Sequence, residues 1–344
     1  MHHLPSSGHL PVHKLASVFS ATVATYKFYW FLSIIELNEE GHTNILKRDL
    51  FARMLANAWY TVNYFKLSFG KYDLIQDAVR EILHIENLTV DVQKPLLYER
   101  LRTTQNKRTI AILNHFDKNV PHWFQSPWFP KMERKQIYEA SMVNESRALY
   151  QLHPKFISIH HDWKDYLLKN AGILKAFCYW ELCLFLQVRN PNVPDIANKL
   201  IKPAFRNGLT RQRKEYWKLV FDELGTIDCI FTNEKLTVSA YALDHFIPHA
   251  FVSHDLMWNL VPIDPSFNSR KSDLLPSLEV HFEGFYNIQK TAFEIVRHNA
   301  PKNKWLEDYL TLFPDGGFGY DRFRENVQPL LVIAGNNGFG RLVI

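Results

Sequence analysis

The chain places an aspartate directly before a histidine, at Asp244 and His245, and a proline three residues later at Pro248. Neighbouring residues of a regular strand point to opposite faces, so these two side chains can serve one centre only where a strand ends or is distorted. Pro248 favours such an ending, because proline donates no hydrogen bond to a sheet. The stretch therefore predicts a strand that stops at its two chemically active residues.

The residues that follow predict a second strand and a helix. The run from Trp258 to Pro262 is compatible with a short strand, and Pro265 to Asp273 contains turn and helix-start residues around Asn268. From the residues alone, the stretch fits a packed polar turn, a hydrolase dyad or a metal site that cleaves phosphodiesters. A Ser-His-Asp hydrolase that uses Ser253 lacks a nucleophile elbow and an oxyanion signature.

The order and spacing of these residues resemble the ββα-metal, or HNH, endonucleases. The resemblance rests on three runs: Asp244-His245-Phe246-Ile247-Pro248, Asn259-Leu260-Val261-Pro262 and Asn268-Ser269-Arg270-Lys271-Ser272-Asp273. The chain is most similar to the branch whose third letter is asparagine, as in the HNH module of RNA-guided DNA endonucleases. The resemblance implies metal-dependent cutting or nicking of DNA that leaves 5′-phosphate and 3′-hydroxyl ends.

The resemblance also implies a role for each site residue. Asp244 and Asn268 would provide oxygen ligands to one Mg²⁺ or Mn²⁺ ion, a hard cation that prefers such ligands. His245 would be the general base, since an imidazole with an unperturbed pKa near ~6.5 accepts a proton from water at neutral pH. Asn259 would brace the loop and orient the histidine without touching the substrate.

Basic residues near the site are the predicted contacts to nucleic acid. Arg270 and Lys271 are placed where a helix start would face the phosphate backbone, and an ordinary solvated surface is the alternative for both. The denser basic run from Lys202 to Lys218 also permits contact with phosphates. A solvated helix face is the reading that we favour for that run.

The chain lacks the zinc-binding cysteines of many HNH domains, which carry two C-x-x-C knuckles. Cys229 is followed at that spacing by Thr232, and Asp264 and Phe267 occupy the later positions. No structural zinc is therefore expected, and the domain must depend on neighbouring helices and aromatic anchors. The expected anchors are Phe246, Trp258 and Phe267.

The predicted fold class is α+β. A chain of 344 residues with 47% hydrophobic content can bury a sizeable core, and its length favours more than one domain. We expect a mainly α-helical N-terminal region over 1–205 for recognition of a partner or of DNA. A small ββα-metal nuclease domain over 206–300 and a C-terminal extension over 301–344 would follow.

Apolar periodicity predicts several helices in the first region. Phe28, Phe31, Leu32 and Ile35 would form one apolar stripe, and further helices are expected over 73–85, 93–102 and 164–188. The apolar run from Ala171 is predicted as a buried core helix, because charged residues interrupt it and a membrane-spanning helix needs about twenty nearly uncharged residues.

Short β-prone runs and glycine clusters characterise the second half of the chain. The runs DCIFT and LTVSAYAL are joined by NEK and predict a hairpin. The tail segments PDGGFGYD and LLVIAGNNGFGRLVI match no phosphate-binding motif in spacing, and we expect both to form loops or turns.

Charge and cysteine content restrict location and partners only loosely. The net charge is +5 with three cysteines and no C-x-x-C pair, and the N-terminus does not have the features of a secretory signal. A reducing cytoplasm and no membrane partner are expected.

The segments TYKFYWFLSIIEL and MLANAWYTVNYFKLSFGKYD resemble bacterial antiphage HNH proteins, which implies DNA and other subunits of a defence system as partners. A nucleic-acid-binding or regulatory subunit with weak catalysis, or an RNA-cleaving nuclease, is the alternative.

Overall fold

The computed structural model describes residues 4–200 and 208–343, and these residues form two compact units. The first unit contains residues 4–191 and 196–200 of the described chain, and the second contains 192–195 and 208–343. The fold class is α+β, because helices dominate both units and short antiparallel sheets accompany them. Each unit is described separately below.

The first unit is built mainly from helices that pack around α2. Its helices are α1 (Val12–Ala16), α2 (Tyr26–Glu39), α3 (Lys47–Asn63), α4 (Leu74–Ile85), α5 (Lys94–Thr103), α6 (Lys107–His115), α7 (Val120–Phe124), α8 (Arg134–Ser141), α9 (His161–Lys169) and α10 (Ala171–Arg189). The expected helices over 73–85 and 93–102 correspond to α4 and α5, and Asp73 and Gln93 are their N-caps.

Helix α2 is buried on every side. All residues from Phe28 to Ile35 are at most 1% exposed, so the prediction of a single apolar stripe was wrong. The reason is that α3, α7, α9 and α10 all pack against this helix. Because Trp30 is buried in this way, its indole N–H needs a hydrogen-bond acceptor inside the protein. It donates to the Tyr150 hydroxyl at 2.9 Å.

A small antiparallel sheet completes the first unit. Its strands are β1 (Asn44–Leu46), β2 (Tyr150–Leu152) and β3 (Phe156–Ile159), in the order β1-β3-β2. Ile45 and Leu152 both lie opposite Ile157, which is fully buried. We did not predict this sheet, because strands of three or four residues give too little alternation to be recognised in sequence.

The expected helix over 164–188 is two helices. The chain breaks at Asn170, between α9 and α10. By length and composition α10 could cross a membrane, with a mean hydropathy of 1.4 over its most apolar window, but a core helix meets the same criteria. Only 33% of that window is buried, so α10 is a core helix on one face and not on all. The described chain gives no clear sign of a membrane protein.

The second unit combines helices with two two-stranded sheets. Its strands are β4 (Ile227–Asp228), β5 (Lys235–Leu236), β6 (Ala242–His245) and β7 (Leu260–Ile263). Its helices are α11 (Thr210–Gln212), which continues through a π-helical segment at Arg213–Trp217, then α12 (Lys218–Leu224), α13 (His249–Val252), α14 (Pro265–Lys271), α15 (Leu278–Asn299), α16 (Glu307–Leu310) and α17 (Tyr320–Asn336). Both sheets are antiparallel, β4 with β5 and β6 with β7.

Two local expectations for this unit need correction. The run from Leu236 to Leu243 was expected to be one strand of a hairpin, but it ends β5 and begins β6, which belong to different sheets. The segment LLVIAGN was expected to be a loop, but it forms the last two turns of α17. Its apolar residues pack as a helix, and Gly338, with φ of +90°, makes the turn after it.

Aromatic side chains from the helices support the β6–β7 hairpin. Phe246, at the end of β6, stacks on Phe285 of α15 with ring centroids 3.9 Å apart. Phe285 in turn contacts Phe323 of α17 at 5.0 Å, and Trp258 contacts the same ring at 6.5 Å. Phe246 and Trp258 are buried, as expected of core anchors. Residues 301–343 therefore contribute core to the unit that contains the hairpin.

Candidate active site

The frame of the candidate site is the β6–β7 hairpin followed by α14. In the antiparallel register Asp244 lies opposite Val261, and His245 lies opposite Leu260. Strand β6 ends at His245, as the position of Pro248 predicted. The strand–loop–strand–helix order that was inferred from the sequence is confirmed for these residues.

Helix α14 begins at Pro265, and its N-cap is Asp264. The Asp264 carboxylate accepts a hydrogen bond from the backbone N–H of Phe267 at 2.8 Å. Hydrogen bonds from the Ser266 hydroxyl and from this N–H lower the pKa of Asp264. Arg270 and Lys271 lie in the last turn, so the idea that they mark a helix start was wrong. A proline at the first helical position, preceded by a capping aspartate, fixes the start earlier.

Lys271 is fully buried and faces β6. Its ammonium lies 2.8 Å from Asp244 Oδ2 and donates to the backbone carbonyl of His245 at 2.7 Å. The ring of Phe231 lies 5.9 Å from the same nitrogen. Because an unpaired buried charge is strongly unfavourable, these contacts hold the ammonium beside Asp244 and away from solvent.

Asp244 and Asn268 offer hard oxygen atoms to this region. The Asp244 side chain is 19% exposed, and within the described residues its Oδ1 makes no hydrogen bond. Asn268 precedes Lys271 by three residues on α14, which puts the two side chains on the same side of the helix. The half-buried Asn268 amide has no hydrogen-bond partner among the described residues. This donor set fits a small divalent cation.

His245 is held by a residue that we did not predict. Its Nε2 lies 2.8 Å from Asp255 Oδ1, in the loop between the two strands, and the His245 side chain is only 2% exposed. His249 also lies near this carboxylate, with Nε2 3.9 Å from Oδ1. An ionised carboxylate only accepts hydrogen bonds, so this contact favours the tautomer with the ring proton on Nε2.

Asn259 braces the loop through a pair of backbone hydrogen bonds. Its Oδ1 accepts from the N–H of Ile247, and its Nδ2 donates to the carbonyl of the same residue, both at 2.8 Å. The side chain is fully buried. It thereby extends the β6–β7 pairing by one step beyond His245, into the region where the strand itself has ended.

A buried polar chain reaches the same loop from the helices of this unit. Gln289 of α15 donates through Nε2 to the carbonyl of Leu260 at 2.7 Å, and its Oε1 accepts from the Tyr309 hydroxyl at 2.6 Å. Asp308 accepts from the backbone N–H of Met257 at 2.9 Å, and burial raises the pKa of Asp308. The part of the chain after 300 therefore fixes the loop that precedes Asn259.

The two segments that carry zinc-binding cysteines in many HNH domains contact each other here. Cys229 Sγ accepts a hydrogen bond from the backbone N–H of Asp264 at 3.4 Å. Phe231 stacks on the half-buried Phe267 with ring centroids 5.2 Å apart. The two segments are therefore joined by a sulfur–amide hydrogen bond and a pair of stacked rings.

One further group of residues has metal-ligand chemistry. In the described chain, His160, His161 and Asp162 bring their ligand atoms within 4.8 Å of one another. His160 is the N-cap of α9, and its Nδ1 accepts a hydrogen bond from the N–H of Asp162 at 3.3 Å. Its ring also hydrogen-bonds the backbone of Asn144. The cluster is therefore explained as a helix cap.

An antiparallel hairpin that ends in Asp-His, is braced by an asparagine and is followed by a helix with an amide side chain has the order of elements of a ββα-metal domain. Residues 229–277 match the model of the HNH endonuclease family, and this segment is an HNH endonuclease domain. Such a domain indicates nuclease activity on a nucleic acid, and domains of this kind usually bind a divalent metal. Neither a curated protein nor a solved structure matches the chain significantly.

Proposed function

We propose that the protein is a metal-dependent endonuclease that hydrolyses DNA phosphodiester bonds with Asp244, His245 and Asn268. The observation that supports this most directly is the pairing of His245 with Asp255 beside an aspartate that has one carboxylate oxygen open. A general base must be oriented as well as present, and the contact with Asp255 supports His245 in that role.

His245 is the proposed base. With the proton on Nε2 and Asp255 as its acceptor, Nδ1 takes a proton from water, and the carboxylate stabilises the imidazolium that forms. Asn259 acts on the position of His245 through the backbone of Ile247. It is a positioning residue and not a ligand.

Asp244 and Asn268 are the proposed metal ligands, with Mg²⁺ or Mn²⁺ as the ion. When bound, such an ion neutralises charge on the phosphate and assists the departing oxygen. Arg270 is exposed in the last turn of α14 and is the proposed contact to the nucleic-acid backbone. For Lys271 the buried position supports a role through Asp244 in place of direct contact with phosphate.

Nicking of supercoiled plasmid tests this proposal. Purified protein is expected to convert supercoiled plasmid to the open circle with Mg²⁺ or Mn²⁺, and not with a chelator. Asp244→Asn should remove the activity, whereas Asp228→Asn, which changes an exposed aspartate of β4, should not. If plasmid nicking survives in Asp244→Asn, the assignment of the site is wrong.

The choice of DNA is tested against RNA directly. DNA and RNA of equal sequence, digested side by side, should give a higher initial rate on DNA. An RNA-cleaving HNH nuclease is the alternative, and a higher initial rate on RNA would establish it.

We also propose a cytoplasmic role in bacterial defence, in which residues 1–205 recognise a partner or a DNA feature. The defence role is supported only by the resemblance of two N-terminal segments. Helix α2, which belongs to the first of them, is buried in the first unit. Phage plating on cells that express the wild type or His245→Ala tests this role, and equal plating efficiencies would contradict it.

A further inference from the structure

We propose that Lys271 makes divalent-cation binding at Asp244 depend on substrate phosphate. This inference rests on the proposed function, because it concerns the same site. The observation behind it is a fully buried ammonium 2.8 Å from one oxygen of the candidate metal ligand.

The contacts of Lys271 restrict how far the ammonium can move. It donates to Asp244 Oδ2 and to the carbonyl of His245, and the Phe231 ring covers a further side. Withdrawal of the fully buried ammonium would leave the His245 carbonyl without this donor and would break the ion pair with Asp244. The ammonium is therefore a fixed part of the site and not a surface cation that passes nearby.

The ammonium has two effects on Asp244. It occupies Oδ2, which leaves Oδ1 as the carboxylate oxygen open to a cation. It also cancels the charge of the carboxylate, so Asp244, Lys271 and the neutral Asn268 together contribute no net charge. One open oxygen suits magnesium, which is usually bound through one or two carboxylates together with water and substrate phosphates.

A site with no net charge attracts a divalent cation weakly. The missing negative charge is then supplied by a phosphate of the nucleic acid, which is anionic and offers hard oxygen atoms. We therefore expect the free protein to hold the ion loosely and the complex with nucleic acid to hold it well. The ion and the substrate would bind cooperatively, and each would raise the affinity for the other by the same factor.

The test measures Mn²⁺ binding by electron paramagnetic resonance and calorimetry, without any turnover. Lys271→Met keeps the length of the side chain and removes its charge, so the free variant should bind Mn²⁺ at least about tenfold more tightly than the wild type. Lys235→Met, which removes an exposed lysine paired with Asp228 in the same unit, is the matched control and should leave the affinity unchanged.

A second measurement needs no substitution at Lys271, which protects the test against a variant that does not fold. Wild-type protein should bind Mn²⁺ at least about tenfold more tightly in the presence of a duplex whose phosphorothioate linkages resist cleavage. Equal Mn²⁺ affinities for wild type and a folded Lys271→Met, or equal affinities with and without the duplex, would overturn the inference.

The outcomes for the two proposals can be separated. If wild type nicks plasmid but Lys271→Met gains no Mn²⁺ affinity, the role of Lys271 is wrong and the nuclease assignment stands. If Lys271→Met gains affinity but no ion supports nicking of plasmid, the charge argument stands and the proposed function fails.

Discussion

Histidine stands beside aspartate at His161-Asp162 and at Asp244-His245, and the contacts of these two groups differ. In the first unit His160, His161 and Asp162 are consecutive, and their contacts are largely with one another and with local backbone. In the second unit His245 contacts Asp255, ten residues away, and Asp244 contacts Lys271 of another helix. The first group caps a helix, whereas the second is assembled from three separate elements.

The difference shows why proximity of ligand types is a poor guide to chemistry. His160 Nδ1 accepts a hydrogen bond from a backbone N–H, as a capping side chain does. The lone pair of that nitrogen is therefore not available to a metal or to a proton. The contact between His245 and Asp255 joins two residues ten positions apart and orients the imidazole from a different element of the unit. Substitutions at the two places should therefore affect different properties of the protein.

The largest expected effect is the loss of activity in His245→Ala. Removing the general base should lower the initial rate of plasmid nicking by about 10²–10⁴-fold. His161→Ala, which removes an exposed histidine of the other group, should stay within about twofold of the wild type. A His245→Ala protein that cuts at the wild-type rate would show that the base has been assigned wrongly.

Asp255→Asn should lower the rate less, by about 10–10²-fold. The amide can still contact the ring, but it no longer fixes the proton on Nε2 or stabilises the imidazolium. Nitrogen NMR of the imidazole should show a mixture of tautomers in the variant and one tautomer in the wild type. Asp162→Asn is the control from the other group and should leave both the tautomer of His245 and the rate unchanged.

Asn259→Ala should reduce both stability and activity. The variant leaves the N–H and carbonyl of Ile247 buried without partners, which costs about 2–4 kcal/mol in the free energy of unfolding. The rate should fall by about tenfold, because His245 is displaced and not removed. Urea unfolding and nicking assays measure the two effects. In contrast, Mn²⁺ affinity in the presence of duplex should change little in a folded variant; a large loss would make Asn259 a ligand.

The site residues that could be predicted are those that lie together in one stretch of the sequence. Asp244, His245, Asn259 and Asn268 were found because order and spacing in one stretch carry them. Asp255 lies in the same stretch and was overlooked, although an acidic residue in the loop after a candidate base was a usable signal. Gln289 and Tyr309 could not be found, since they reach the loop from helices that no local pattern connects to it.

The same distinction holds for the fold. Helices α4 and α5 were predicted within a residue or two, because their caps and periodicity are local. The burial of α2 on all sides and the burial of Lys271 were missed, because both depend on packing partners that are remote in sequence. A lysine next to an arginine at a helix end gives no sign in sequence that one of them points inward.

The smallest expected effect is a change in the pH dependence of the first unit in His160→Asn. Burial lowers the pKa of His160 below its usual 6.5, so the folded state binds fewer protons than the unfolded chain as the pH falls through that value. The stabilising contribution of the neutral ring is therefore complete above about pH 6.5 and is lost on acidification toward the folded pKa.

Asparagine is a good N-cap that does not titrate, so the variant should keep the cap of α9 while its melting temperature falls less between pH 7.5 and 5.0 than that of the wild type. His115→Asn, at an exposed position of the same unit, should follow the wild type. If His160→Asn loses as much stability on acidification as the wild type does, the ring is not held neutral by its position at the cap, and the contrast between the two histidine–aspartate groups would have to rest on the geometry of the nuclease site alone.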